Sequence, residues 1–348
     1  MDTPKRDTRG RHGATRLPGL TIDDYGLTLP GPKGEGFLGD IASQTAFRAL
    51  LDDAREHKRI VADPFGDTPS GELGKEQIDK LLLGGPAAEA HVVHMAIEEY
   101  AGRLAHVVRA FLADDSWSGV EAIVMGGGMS ESEFGKLGIR RARRVLKDAG
   151  VPVKLKRLRH DPDDAALLGW ASLLPEEFAA SHTALLAVDV GGTNLRCGLV
   201  AHGLQARDDG SRATILERMY WRHADDEPSR REAIDRLAGM LNGLIAQART
   251  LKIALAPFIG IAIPGAIEPD GRISAGAHNL PGDWEAPFDL SAELGKRLDP
   301  IDDTPPQVTL HNDAVVQGLG ERRRMRKFAR WGVMTIGTGL GNACYTNS

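Results

Sequence analysis

Residues 185–194 read Leu-Leu-Ala-Val-Asp-Val-Gly-Gly-Thr-Asn, and this stretch decides the fold. Its apolar first half predicts a buried strand that ends just beyond Asp189. The two glycines predict a tight turn, and the apolar residues 195–200 predict the returning arm of a hairpin. A carboxylate at the end of a buried strand, directly before a glycine turn, indicates that the turn carries chemistry.

The turn has the composition of a phosphate site. Gly191 and Gly192 lack Cβ, so backbone N–H groups can approach phosphate oxygens closely. Thr193 and Asn194 can add side-chain donors, and Asp189 is placed to hold Mg²⁺ through a water molecule. An ordinary tight hairpin is the alternative, but such a hairpin has no need of an Asp at the end of a hydrophobic strand.

Two further glycine turns follow predicted strands. Gly337, Thr338 and Gly339 repeat the composition of the first turn, and a flexible turn is the alternative. At Gly127 and Gly128 a planar base could lie against a backbone that has no side chains, with a plain strand-to-helix turn as an equal alternative. No turn is followed by the Gly-Lys-Ser/Thr of a P-loop. The turns together predict a nucleotide site of another kind.

A polar pair lies where a strand predicted over residues 308–311 gives way to a helix. Open α/β sheets bind ligands at the carboxyl ends of their strands, so Asp313 is a candidate general base. A helix N-cap is the alternative for both Asn312 and Asp313. The backbone of Gly265 and the amides of Asn279 and Asn312 are candidate partners for sugar hydroxyls, and plain turns are the alternative.

Composition narrows the class of protein. The 348 residues carry a net charge of -5, which gives no reason to expect nucleic acid as a partner. No apolar run is long enough to span a membrane, and no signal peptide is visible at the N-terminus. Cys197 and Cys344 lie far apart in sequence, so a reducing cytoplasm fits better than a disulfide between them.

Two segments lack periodic apolar patterns. Residues 1–36 are rich in Gly, Pro and Arg, which predicts loop structure. The basic residues among the first sixteen predict a solvated tail, with anion binding as the alternative. Residues 175–178, Pro-Glu-Glu-Phe, predict a linker between two modules.

Together these motifs resemble the ROK family of sugar kinases and sugar-responsive repressors. The matching segments are 124–128, 164–169, 189–194, 260–265, 279–284, 312–321 and 337–341. The resemblance implies an α/β fold with two actin-like, ribonuclease-H-like domains around a nucleotide cleft. It also implies ATP and Mg²⁺ as cofactors and a small sugar as the substrate, and it leaves the oligomeric state open, a homodimer included.

The order of the segments departs from that family. The Asp-x-Gly-Gly-Thr strand usually opens the protein, whereas here residues 181–348 resemble the first half and 1–175 the second. We therefore predict a circular permutation, with one domain from residues 1–175 plus 333–348 and the other from 181–332. The strand at 333–336 should then join the sheet of residues 120–125.

A second departure concerns zinc. The family commonly has a cysteine-rich zinc loop with a nearby His and Glu that hold the sugar, and no such cluster exists here. Structural zinc needs about four close Cys or His ligands, so we predict no zinc site. Gly39 stands where the family often has Glu, and Asp40 and His12 are the candidate replacements for the Glu and the His.

Three functions follow from these motifs. The leading prediction is an ATP-dependent sugar kinase in which Asp313 takes the proton of the attacking hydroxyl. A sugar- or nucleotide-binding regulator that has lost turnover is the first alternative. An actin-like ATPase without a sugar is the second, and the residues Asn279, Asn312 and Asp313 argue against it.

Overall fold

The computed structural model describes residues 6–56, 63–205, 210–278 and 280–348. Contacts between residues divide this part of the chain into two compact units. The first unit contains residues 6–26, 159–329 and 345–348. The second unit contains residues 27–158 and 330–344.

The chain contains both helices and strands. The strands are β1 (Arg16–Leu17), β2 (Leu20–Tyr25), β3 (Ala122–Gly126), β4 (Lys154–Arg157), β5 (Ala184–Val190), β6 (Leu195–Ala201), β7 (Thr214–Trp221), β8 (Leu255–Ile263), β9 (Ala266–Ile267), β10 (Ile273–Ala275), β11 (Gln307–Asn312), β12 (Arg330–Ile336) and β13 (Leu340–Asn347). The helices are α1 (Gln44–Glu56), α2 (Lys75–Gly84), α3 (Ala87–Ala113), α4 (Glu133–Asp148), α5 (Pro162–Gly169), α6 (Glu176–Ser181), α7 (Arg230–Thr250), α8 (Leu290–Gly295), α9 (Asp313–Leu319) and α10 (Arg322–Met325). Within the described ranges, none of these helices combines the length and the apolar character that a membrane crossing requires.

The first unit is built on a five-stranded sheet with the order β11-β8-β5-β6-β7. Strands β5, β6 and β7 are antiparallel neighbours, whereas β8 and β11 run parallel to β5. Asp189 pairs with Ala262, which in turn pairs with His311. Because of this register, the carboxyl ends of β5, β8 and β11 lie at the same edge of the sheet.

Helix packing explains why this sheet is stable. Every residue of the inner strand β8 is buried, as expected for a strand covered on both faces. Helix α7 packs against β6, β7 and β8, and a capping box of Ser229 and Glu232 fixes its start. Helices α5 and α9 pack against each other and also contact the sheet.

The second unit has parallel strands at its centre. Its strands β13, β12, β3 and β4 lie side by side in that order, and β12, β3 and β4 are parallel. Val333 of β12 pairs with Val124 of β3, so the predicted pairing of these two strands is confirmed. Helices α1, α3 and α4 pack together around an apolar core that includes Phe47, Tyr100 and Phe134. The predicted α/β class is confirmed.

The N-terminal segment is more ordered than its composition predicts. Residues 16–25 form the strands β1 and β2, and the segment before them lies along β11. Gly13 N donates to Leu310 O at 3.0 Å, and Gly10 O accepts a hydrogen bond from Thr309 Oγ1 at 3.1 Å. The segment therefore covers the outer edge of the five-stranded sheet.

Residues 159–175 lie in the first unit, whereas we expected them in the same domain as residues 1–158. Helix α5 lies in the first unit, where a Cβ on Gly169 would come within 1.9 Å of Val316 O in α9. Asp164 pairs with Arg218 of β7 at 3.0 Å in the same unit. The stretch 175–178 is not an extended linker, because α6 begins at its second residue and contacts β8. These contacts hold the segment to the five-stranded sheet.

Candidate active site

Three predicted site positions meet at one edge of the five-stranded sheet. Asp189 lies at the end of β5, Gly265 follows β8, and Asn312 and Asp313 connect β11 to α9. The register described above brings these strand ends together. In α/β proteins this edge is where ligands bind.

Asn312 braces the site. Its Nδ2 donates to Gly265 O at 3.0 Å, and its Oδ1 accepts from the N–H groups of Ala314 and Val315 at 3.0 and 3.3 Å. Gly265 has φ 108°, and a Cβ there would come within 2.4 Å of Ala275 O, so only glycine fits this turn. Asn312 is thus the helix N-cap that the alternative anticipated, and its contact with sugar stays a prediction.

Asp313 is the first residue of α9 and has the properties of a base. Its Oδ1 accepts the N–H of Ala314 at 2.8 Å. Burial raises the pKa of Asp313 above its usual range, while the hydrogen bond from the Ala314 backbone lowers it. A carboxylate whose proton affinity is increased by burial is better suited to take a proton from a hydroxyl.

Asp189 is held by an arginine that the sequence analysis did not consider. Arg196 Nη1 lies 3.1 Å from Asp189 Oδ2, and Arg196 Nη2 lies 2.5 Å from Asp163 Oδ1. Burial raises the pKa of Asp189 to about 6; Arg196 opposes this, and the charges of Asp313 and Asp163 add to it. Asp189 therefore lies near two other carboxylates, Asp313 and Asp163, and one guanidinium binds both Asp189 and Asp163.

The pairing of Asp189 with Arg196 had a signal in the sequence. A hairpin whose turn occupies residues 191–194 places Val190 opposite Leu195, and therefore Asp189 opposite Arg196. The hairpin was predicted, so its register would have found the ion pair. Asp163 had no comparable signal, because it reaches the site from a helix distant in the chain.

The turn of residues 191–194 is closed by hydrogen bonds within the first unit. Gly191 N donates to Asn194 O at 2.9 Å, and His223 Nε2 lies 2.8 Å from Gly191 O. Tyr220 Oη donates to Asn194 Oδ1 at 2.6 Å. The side-chain oxygen of Asn194 is thereby occupied, and phosphate binding by this turn stays a prediction.

In the second unit the two other glycine turns are neighbours. Gly127 has φ 79°, and a Cβ there would come within 2.5 Å of the backbone N and O of Ile336, the last residue of β12. Residues 337–339 follow directly and connect β12 to β13. Lys75 Nζ donates to Gly128 O at 2.8 Å. The structure thus brings together two turns that lie about two hundred residues apart in sequence.

Three sugar-side candidates have other positions. Asn279 lies outside the described residues. His12 Nδ1 accepts the N–H of Leu310 at 3.1 Å, so this histidine braces the N-terminal segment. Asp40 Oδ2 accepts the N–H of Phe37 at 3.3 Å and caps a single helical turn. The suggestion that His12 and Asp40 replace the family's sugar-binding pair stays untested.

The donor set at the sheet edge fits Mg²⁺. Asp189 and Asp313 supply carboxylate oxygens, which this cation prefers. In the described part of the chain, no cluster of three or more His, Cys, Asp or Glu side chains is placed to hold a metal. Mg²⁺ would therefore take its other ligands from water and phosphate, as it does in many phosphoryl-transfer sites. The expected absence of zinc stays a prediction.

Comparison with known proteins gives partial similarities. No profile of a known protein family matches the chain. A glucokinase from Thermotoga maritima is 29% identical over 165 residues, which are 47% of this chain and 44% of the relative. This chain thus aligns with less than half the length of that protein.

Two solved structures are similar in part. One is assigned as a sugar kinase from Cytophaga hutchinsonii and the other as an N-acetylmannosamine kinase from Listeria monocytogenes. Each is 20% identical with a TM-score of 0.34 and covers 47% of this chain. The matched part covers 48% of the Cytophaga chain and 47% of the Listeria chain.

Proposed function

We propose that this chain transfers the γ-phosphoryl group of ATP to a hydroxyl of a hexose-type sugar. The observation that carries the proposal is the pair of half-buried carboxylates, Asp313 and Asp189, at one sheet edge. Burial raises the pKa of both, yet one begins a helix and the other pairs with Arg196. Two carboxylates in different environments can take two different roles.

Asp313 would act as the general base. The sugar hydroxyl attacks the γ-phosphorus while its proton passes to the Asp313 carboxylate, and the bond from phosphorus to the leaving oxygen of ADP breaks. Asn312, fixed by its bond to Gly265, would orient the hydroxyls next to the reacting one. Neither role requires movement of the strand ends.

The glycine turns would bind the nucleotide. Backbone N–H groups at residues 191–194 and 337–339 are the candidate partners of the phosphates, and the surface beside Gly127 and Gly128 is the candidate base site. Bound Mg²⁺ supplies positive charge that neutralises the phosphates. Asp189 is the residue that would hold it through water.

Membership of the ROK family, the permuted order of its segments and a cytoplasmic location belong to the same proposal. The similarity to a glucokinase makes glucose the first sugar to test. The name of the Listeria protein adds N-acetylmannosamine to the panel. The oligomeric state, a homodimer included, can be measured separately.

The test is sugar-dependent formation of ADP from MgATP by the purified chain, measured across a panel of hexoses and their N-acetyl derivatives. We expect one or a few sugars to raise the rate well above the background without sugar. Sugar binding without ADP formation would favour the regulator that has lost turnover. ADP formation that no sugar increases would favour an ATPase.

A further inference from the structure

Arg48 of α1 is a buried cation that lacks hydrogen bonds at two of its three guanidinium nitrogens in the described part of the chain. Its side chain is 8% exposed, and its Nε and Nη1 atoms have no hydrogen-bond partner among the described residues. An isolated buried charge is costly, and native proteins pair nearly all buried polar groups with protein, water or a bound ion. Such an arginine is therefore a candidate for binding an anion.

The nearest acidic side chain is engaged elsewhere. Asp52 lies one helical turn beyond Arg48, and its Oδ1 accepts hydrogen bonds from Arg55 Nη1 at 3.2 Å and from Ser70 N at 3.1 Å. Burial lowers the pKa of Arg48, and the charge of Asp52 only partly offsets this. The guanidinium is therefore left with donors that its own helix does not satisfy.

Arg48 lies on the face of α1 that contacts the glycine turn at residues 337–339. The first two residues of this helix hold the turn at 337–339: Gln44 N donates to Gly337 O at 2.8 Å, and Thr45 Oγ1 donates to Thr338 O at 3.0 Å. Arg48 lies four residues after Gln44 and three after Thr45, so all three are on the same helix face. Long side chains in helices lean toward the N-terminus, which brings the guanidinium toward this turn.

Arg48 also contacts α4, the helix that follows the other glycine turn of the same unit. Its guanidinium carbon lies 5.9 Å from the ring centroid of Phe134, and this ring stacks on Phe47 at 4.5 Å. Phe134 is the second residue of α4, which follows the turn at Gly127 and Gly128. The ring contact is at the outer limit of a cation–π interaction and satisfies none of the N–H donors.

We propose that Arg48 binds a phosphate group in the second unit, at the site bordered by residues 337–339 and 127–128. A guanidinium offers N–H donors in one plane, which match two oxygens of an anion. The backbone N–H groups of the bordering glycine turns favour phosphate as that anion. The phosphate would come from the nucleotide, in which case the inference rests on the proposed function, or from free inorganic phosphate.

The experiment compares Arg48→Met with Arg140→Met, which removes an exposed arginine of α4. Binding of ADP, adenosine and inorganic phosphate is measured by calorimetry for both variants and for the wild type. We expect Arg48→Met to weaken ADP or phosphate about 10- to 100-fold, since a lost charged hydrogen bond has this effect. Adenosine binding should be unchanged, and Arg140→Met should behave as the wild type.

The outcomes separate the two sources of phosphate. A loss confined to ADP assigns Arg48 to the nucleotide. If Arg48→Met weakens inorganic phosphate and leaves ADP unaffected, Arg48 belongs to a separate phosphate site. The same assignment follows if the wild type binds phosphate but not ADP and Arg48→Met weakens the phosphate. That last result would contradict the proposed function and leave this inference standing.

Equal affinities of wild type and Arg48→Met for both ligands would overturn the inference. If the methionine variant does not fold, Arg48→Lys replaces it, because lysine keeps the charge and loses the planar fork. We then expect a several-fold loss of phosphate or ADP affinity with the melting temperature retained. Unchanged affinity of the lysine variant for both ligands would also overturn the inference.

Discussion

At the scale of single residues, the candidate site depends on how one arginine is shared between carboxylates. Arg196 binds Asp189 and Asp163, and the exposed fractions of the Arg196 and Asp189 side chains are 16% and 14%. Asp189 nevertheless keeps a raised pKa because burial outweighs the attraction of Arg196. Folding therefore brings a carboxylate to the sheet edge at a cost in stability.

The pH dependence of stability should report this cost. Burial raises the pKa of Asp189 from 3.8 to about 6. Such a carboxyl binds its proton more tightly when folded, so its stabilising contribution is complete below about pH 4 and is lost as the pH rises through about 6. Two pKa units correspond to about 3 kcal/mol as an upper value.

Asp189→Asn should remove this dependence, because the amide does not titrate. We expect the free energy of unfolding of the variant, relative to the wild type, to rise between about pH 4 and 6 and then to level off. Urea unfolding across this range measures it. Asp225→Asn, at a side chain that is 62% exposed, is the matched control. A constant difference between Asp189→Asn and wild type would show that burial does not raise this pKa.

At the scale of elements, the N-terminal segment takes the place of a strand at the edge of the five-stranded sheet. His311 Nε2 lies 2.8 Å from Ala14 O, and His311 Nδ1 accepts the N–H of Asn312 at 2.8 Å. This pattern requires a neutral ring with its proton on Nε2, and burial lowers the pKa of His311 to about 4. The segment thus covers the strand that carries the candidate base.

Removal of residues 1–14 should therefore destabilise the first unit. It would delete the partners of Thr309, Leu310 and His311 along the outer edge of β11. Several hydrogen bonds at about 1 kcal/mol each predict a loss of roughly 3–5 kcal/mol. An uncovered edge also promotes aggregation.

Chemical unfolding and light scattering test this expectation, with removal of residues 1–5 as the control. The shorter deletion keeps every hydrogen bond named above, so it provides the reference unfolding midpoint. A protein without residues 1–14 that unfolds at the wild-type midpoint and stays dispersed would show that this segment has no structural role.

At the scale of the whole molecule, the sequence predicted the local elements better than their assembly. The buried strand before Gly191 followed from its apolar composition. The pairing of β12 with β3 followed from the family resemblance and the order of its segments. The membership of α5 and residues 6–26 in the first unit did not follow. Their contacts join residues far apart in the chain, and the local sequence pattern does not predict such partners.

The same limit applies to the site. Asp189, Gly265 and Asp313 were found because each ends a recognisable strand, and parallel strands end at one edge. Arg48 was not found, since an arginine within an amphipathic helix has no sequence signal that distinguishes a buried from an exposed position. The permuted order of the segments stays a prediction that rests on their resemblance to a family.

The role of Asp313 is the central claim, and one substitution tests it. Asp313→Asn keeps the size of the side chain, so folding and ADP binding should be retained. The amide cannot accept the hydroxyl proton, so we expect sugar-dependent ADP formation to fall about 10²- to 10⁴-fold. The measurement is the rate with saturating MgATP and the best sugar of the panel, for wild type and variant in parallel. Undiminished turnover by Asp313→Asn would contradict the account and place the active site elsewhere.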